Sequence, residues 1–163
     1  MTRLMALDVG SVRIGVAVSD ATGFLASPYT TLRVAPAEEQ TFAAIQQLIS
    51  EIEAAGIVVG LPISLDGQIH AQGERIQAFA ERLKPHITIP LTFWDERLST
   101  VEAQRLLARR EQDENDTRQR RSGRRRSQGK RRQKGHAIDA LAAAVFLQDY
   151  LDAQGDKTKE RLI

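Results

Sequence analysis

Two β-rich runs near the start of the chain, RLMALDVG and RIGVAVSD, are joined only through Gly10 to Arg13. A link that short can close an antiparallel pair, whereas parallel neighbours need a crossover of about a dozen residues. A third run, FLASPYTTLRV, follows the turn-like Asp20 to Gly23, so three consecutive antiparallel strands are the simplest account. The pattern then changes period. PAEEQTFAAIQQLISEIEAA places Phe42, Ile45, Leu48, Ile49 and Ile52 on one helical side and ends towards Gly56. IVVG reads as a short buried strand, LPISLDGQ as a turn-rich loop, and HAQGERIQAFAERL as a second helix. ITIPLTFW is a strand whose Pro90 favours an edge or a bulge. Ser99 and Glu102 form a capping box for a helix at TVEAQRLLARREQ, and a final apolar helix follows a basic segment. The order βββαβαβα predicts an α/β fold, a mixed five-stranded sheet with flanking helices.

A chain of 163 residues, 42% of them hydrophobic, suffices for one core. The expected division is a single domain over 1–152 and a C-terminal tail over 153–163. The absence of cysteine excludes disulfides and thiolate metal sites. The start, MTRLMALDVGS, lacks the apolar core of a signal peptide, and no apolar run reaches a membrane span. A cytoplasmic protein without membrane contact is the resulting expectation.

The last helix, GHAIDALAAAVFLQDY, sets Asp139 among apolar neighbours: Ala142 and Ala143 one turn on, then Phe146. An unpaired buried carboxylate is too costly to persist, so Asp139 needs a proton, a partner cation or a metal. Two other acids could meet it. Asp8 ends the first strand and Glu96 follows the last, and ligands of α/β sheets gather at the carboxyl ends of strands. Three crowded carboxylates repel unless a multivalent cation lies between them, and all-oxygen donors favour Mg²⁺ or Mn²⁺. Each acid also has a plain role. Asp8 suits a turn before Gly10, Glu96 an exposed helix entrance beside a competing Asp95, and Asp139 the positive end of a helix dipole.

Charge is unevenly spread. RQRRSGRRRSQGKRRQK, residues 118–134, holds ten of the 23 Lys and Arg residues and none of the 21 acids, leaving the rest of the chain net acidic. With little to bury, it reads as a mobile loop at about 113–135, either a solvated linker or an electrostatic contact for phosphate backbones. Arg124, Arg125, Arg126, Lys130, Arg131, Arg132 and Lys134 are its candidate nucleic-acid contacts. Phosphate contacts of this kind give affinity without reading bases.

The blocks LDVGSVRIGVAVSD, VVGLPISLDG, DERLSTVEAQRLL and IDALAAAVFLQDYL, in this order, resemble the YqgF family of pre-16S rRNA nucleases, relatives of Holliday-junction resolvases. The resemblance spans roughly Arg3 to Leu151. It implies an RNase H-like fold and a metal-binding acidic trio of Asp8, Glu96 and Asp139. It also implies two divalent ions bracketing a scissile phosphate, and a pre-16S rRNA precursor or pre-ribosomal particle as partner. His136, one helical turn before Asp139, occupies a position where related resolvases place a His or Asp; a metal or proton role competes with that of a polar helix-start residue.

Arg13 could touch phosphate or brace the hairpin, and Arg97 could balance the acids or contact substrate. Gly10 and Gly15 allow tight backbone, and Ile14, Val16 and Val18 should share one core-facing side. A branched-DNA resolvase is the close alternative, as a homodimer, since symmetric cutting needs two sites; the rRNA nuclease could be a monomer. A noncatalytic RNA-binding factor is a further reading, which the presence of all three acids disfavours. DVGS also resembles the phosphate loop of sugar kinases and actin-like ATPases, but those need two duplicated domains.

Overall fold

A computed structural model describes residues 2–63, 66–95 and 130–160, with the side chains of 130–137 and 156–160 outside that description. The strands are β1 (Arg3–Val9), β2 (Arg13–Ser19), β3 (Ala26–Arg33), β4 (Ala54–Leu61) and β5 (Leu91–Asp95). The helices are α1 (Glu38–Ile52), α2 (Ala71–Leu83) and α3 (Lys130–Glu160). The sheet order is β3-β2-β1-β4-β5. The first three strands form the expected antiparallel meander, and β4 and β5 run parallel to β1.

Strand alternation divides the core into two layers. Met5, Leu7, Ile14, Val16, Ile57 and Val59 face α1 and α2, where Phe42, Ile45, Ile76, Phe79 and Leu83 close the layer; Val18 joins it partly buried. The opposite face carries Ala6, Ala17 and Val58 against Ala143, Phe146, Leu147 and Leu151 of α3. Fully burying a side chain such as Leu147 contributes roughly 2 kcal/mol. The small residues on this second face let α3 lie close to the sheet. Among the described residues, no helix is long and apolar enough to cross a membrane.

Several boundaries differ from the sequence reading. The helix predicted to run towards Gly56 ends at Ile52, because Glu53 turns left-handed at φ 57° and donates its N–H back to Ile49 and Ser50 carbonyls. Ala54 and Ala55 then begin β4, three residues ahead of the expected IVVG. α3 is longer at both ends. It begins at Lys130, inside the segment read as a loop, and continues through residues 153–160, read as tail. Once the apolar stretch is docked, each added residue gains a backbone hydrogen bond without a new nucleus, and Lys, Arg, Gln and Glu are good helix formers. Pro90 sits just before the edge strand β5, where its missing N–H is not needed, and its carbonyl accepts the Ile57 N–H at 2.9 Å. Glu96, Arg97, the Ser99–Glu102 box, the helix at TVEAQRLLARREQ and Arg124, Arg125 and Arg126 lie outside the described residues.

Gly15 carries the closest approach between the layers. A Cβ there would stand 2.0 Å from the Asp139 carbonyl oxygen and 2.9 Å from the Ala140 nitrogen, both backbone atoms. Neither can yield without moving the whole helix. Gly15→Ala should therefore lower unfolding free energy by about 3 kcal/mol or more, read as a reduced urea midpoint. A change within about 0.5 kcal/mol would show that α3 can lift from the sheet at little cost.

Candidate functional site

The hairpin between β1 and β2 builds the first wall of the site. Gly10 donates its N–H to the Arg13 carbonyl at 2.9 Å, and a Cβ on Gly10 would meet that same oxygen at 2.6 Å, so the turn needs glycine. This fixes the register in which Asp8 pairs with Gly15 and Val9 with Ile14. Directly paired residues share a face, here the one that receives α3. The backbone of Asp139 rests on Gly15, opposite Asp8. Two carboxylates from opposite ends of the chain thus come together at the carboxyl end of β1.

Their electrostatics reflect that crowding. Burial, and then the neighbouring negative charge of Asp139, push the Asp8 carboxyl up from 3.8 to about 6. Asp139 has a partner cation: Arg13 Nε donates to its Oδ2 at 2.6 Å, with the two side chains 40% and 25% exposed. Of the three ways Asp139 could be accommodated, the structure therefore supplies an ion pair. It also places Arg13 against an acid of the site, a contact that sequence separation hid.

The loop after β4 begins at the same edge, since Leu7 pairs with Val59 and Leu61 with Asp95. It holds an exposed pair, His70 Nε2 to Asp66 Oδ2 at 3.4 Å. Trp94 on β5 packs edge-on against Tyr150 of α3, with ring centroids 5.4 Å apart, tying the helix to the far side of β1. Lys130, Arg131, Arg132, Lys134 and His136 fall within the bounds of α3, their side chains outside the described set. Of the expected acidic trio, the structure brings Asp8 and Asp139 together. Glu96 follows Asp95, the last described residue of β5.

The donor chemistry fits a hard divalent cation. Both described acids offer only carboxylate oxygens, and their repulsion, resisted by the Arg13 guanidinium, is what a cation between them would relieve. Among the described residues, no cluster of three or more His, Asp or Glu side chains forms.

The raised Asp8 value has a stability consequence for metal-free protein. The folded state binds this proton more tightly than the unfolded chain, so its contribution is complete below pH 3.8 and is lost as pH rises towards about 6. In EDTA at pH 8, Asp8→Asn should be more stable than the parent by on the order of 2 kcal/mol, with the gap closing near pH 4. Urea unfolding at the two pH values measures this; an equal gap at both would refute the crowding argument.

Comparison with known proteins identifies the family and the fold. A family model described as "RuvX: Holliday junction resolvase" matches residues 2–153. A protein of Thermoanaerobacter pseudethanolicus named "Putative pre-16S rRNA nuclease" is 41% identical over 155 residues, covering 95% of this chain and 99% of that protein. A Roseiflexus protein of the same name is 41% identical over 152 residues, covering 93% and 95%. Among solved structures, T. thermophilus RuvC in complex with a Holliday junction substrate superimposes with a TM-score of 0.51 at 14% identity, covering 96% of this chain and 97% of that one. That likeness is one of fold, the RNase H-like mixed sheet with flanking helices. With a family match and relatives that span nearly its whole length, the chain belongs to the RuvX (YqgF) family.

Proposed function

We propose that this protein is a divalent-metal-dependent endonuclease that hydrolyses phosphodiester bonds in ribosomal RNA precursors, acting at the 5′ end of pre-16S rRNA. The observation that carries the reading is the convergence of Asp8 and Asp139 at the strand ends, in a chain whose full-length relatives bear that name. Asp8 and Asp139, with Glu96 as third acid, would hold Mg²⁺ or Mn²⁺, two ions in the working site. Bound there, the ions would supply Lewis acidity for hydrolysis of the phosphodiester. The carboxylates orient and neutralise, burial around Asp8 strengthens the local field, and His136 handles a proton beside Asp139. Arg97 and the Arg-rich segment hold the phosphate backbone near the acids. The partner is an rRNA precursor or pre-ribosomal particle in the cytoplasm, met by a monomer or homodimer.

A second reading has its own support. The matching family model is described as a Holliday junction resolvase, so branched DNA is the alternative substrate. Labelled pre-16S rRNA fragment and labelled four-way junction, offered side by side with Mg²⁺ or Mn²⁺, separate the two. We expect cleavage of the RNA, abolished by Asp8→Asn. Cleavage of the junction alone, lost in the same variant, would reassign the substrate, and cleavage surviving Asp8→Asn would overturn the site.

The basic segment predicts its own signature. Replacing Arg124, Arg125 and Arg126 together by Gln should flatten the slope of log affinity against log salt by about two units, measured on RNA in EDTA. An unchanged slope would remove these residues from the interface.

A further inference from the structure

Arg13 has a contact that neither hairpin bracing nor phosphate binding alone explains. It is the first residue of β2, and its backbone is held by the Gly10 N–H and by pairing with Arg33 of β3. The main chain is therefore fixed, while the long side chain can swing. Among the described residues, the guanidinium makes one hydrogen bond, from Nε to Asp139 Oδ2. A single end-on bond uses one of the five donors of the group and one oxygen of the acid. The Arg13 side chain is 40% exposed and that of Asp139 25%, so water reaches the pair and screens it in part.

Charge then decides what the pair does. Among the described residues, two acids face this one guanidinium, and a dication placed between them neutralises both better than Arg13 neutralises one. A guanidinium released at that point has a natural destination, because its planar donor set matches the oxygens of a phosphate.

We propose that Arg13 is the resident counter-cation of Asp139, displaced when a divalent ion binds beside Asp8, and that the freed guanidinium takes a backbone phosphate of the nucleic-acid strand. Arg13 is in this sense a positioning residue that links metal loading to substrate capture. The inference rests on the nuclease reading above. Linkage makes the coupling reciprocal, so metal must tighten nucleic-acid binding by the factor by which nucleic acid tightens metal binding.

The test is Mn²⁺ titration of the full chain without nucleic acid, with free Mn²⁺ read by electron paramagnetic resonance, in the parent, Arg13→Gln and Arg13→Lys. Removing a competing cation should make Arg13→Gln bind Mn²⁺ roughly threefold to tenfold more tightly. Arg13→Lys keeps the charge and should stay near the parent, which separates competition from any folding defect. A short single-stranded RNA should bind the parent more tightly with Mn²⁺ than without, and this gain should shrink in Arg13→Gln. Unchanged or weaker Mn²⁺ binding by Arg13→Gln would overturn the proposal and leave Arg13 as a brace for Asp139, with the nuclease reading intact. A parent that binds no Mn²⁺ would overturn the metal-dependent reading itself, and this inference with it.

Discussion

The contact between the α3 backbone and Gly15 governs the rest of the molecule. A helix normally stands off a sheet by the depth of its side chains, yet here the Asp139 carbonyl occupies the space where a Cβ would project. Ala6 and Ala17, small residues on the same face, extend this shallow seat. The seat is made by the hairpin, since the Gly10 turn fixes which β2 residue stands opposite Asp8. One steric allowance thus sets the depth of the helix, the meeting of two acids and the burial that disfavours ionising one of them. An ordinary core would avoid such an arrangement, because it spends stability to hold like charges together.

The two faces of the sheet consequently have different characters. The α1 and α2 side is filled by large interlocking apolar groups, including the tilted Phe42–Phe79 pair at 5.4 Å. It resembles a conventional core, and its peripheral ion pair, Arg82 to Glu38 at 2.8 Å, is exposed. The α3 side sets alanines of both layers among Val58, Phe146, Leu147 and Leu151, and among the described residues it carries the close carboxylates. Stability and chemistry are thereby assigned to opposite sides of one sheet, with β1 shared by both through the alternation of Leu7 and Asp8.

Much of this was legible in the residues. The meander, the alternating helices and the edge position of Pro90 follow from period and turn chemistry, which are local. Asp8 and Asp139 could be singled out because a carboxylate at a strand end and another among alanines both call for a cause. The Arg13–Asp139 bond was not legible, as nothing local connects residues 126 positions apart. The ends of α3 lie beyond the apolar pattern, because a docked helix extends through residues that tolerate helical backbone. Glu53 shows the converse: a non-glycine residue accepts left-handed backbone where helix and strand must join without a loop.

Gln148 adds a second anchor to α3. Its side-chain oxygen accepts the Ala26 N–H at 2.8 Å and its amide donates to the Phe24 carbonyl at 3.0 Å, as a neighbouring strand would. The helix is therefore pinned at two points nine residues apart, about 13 Å along its axis. A ruler of this kind forbids an inserted or deleted residue between Asp139 and Gln148, because either would rotate one anchor away from its seat.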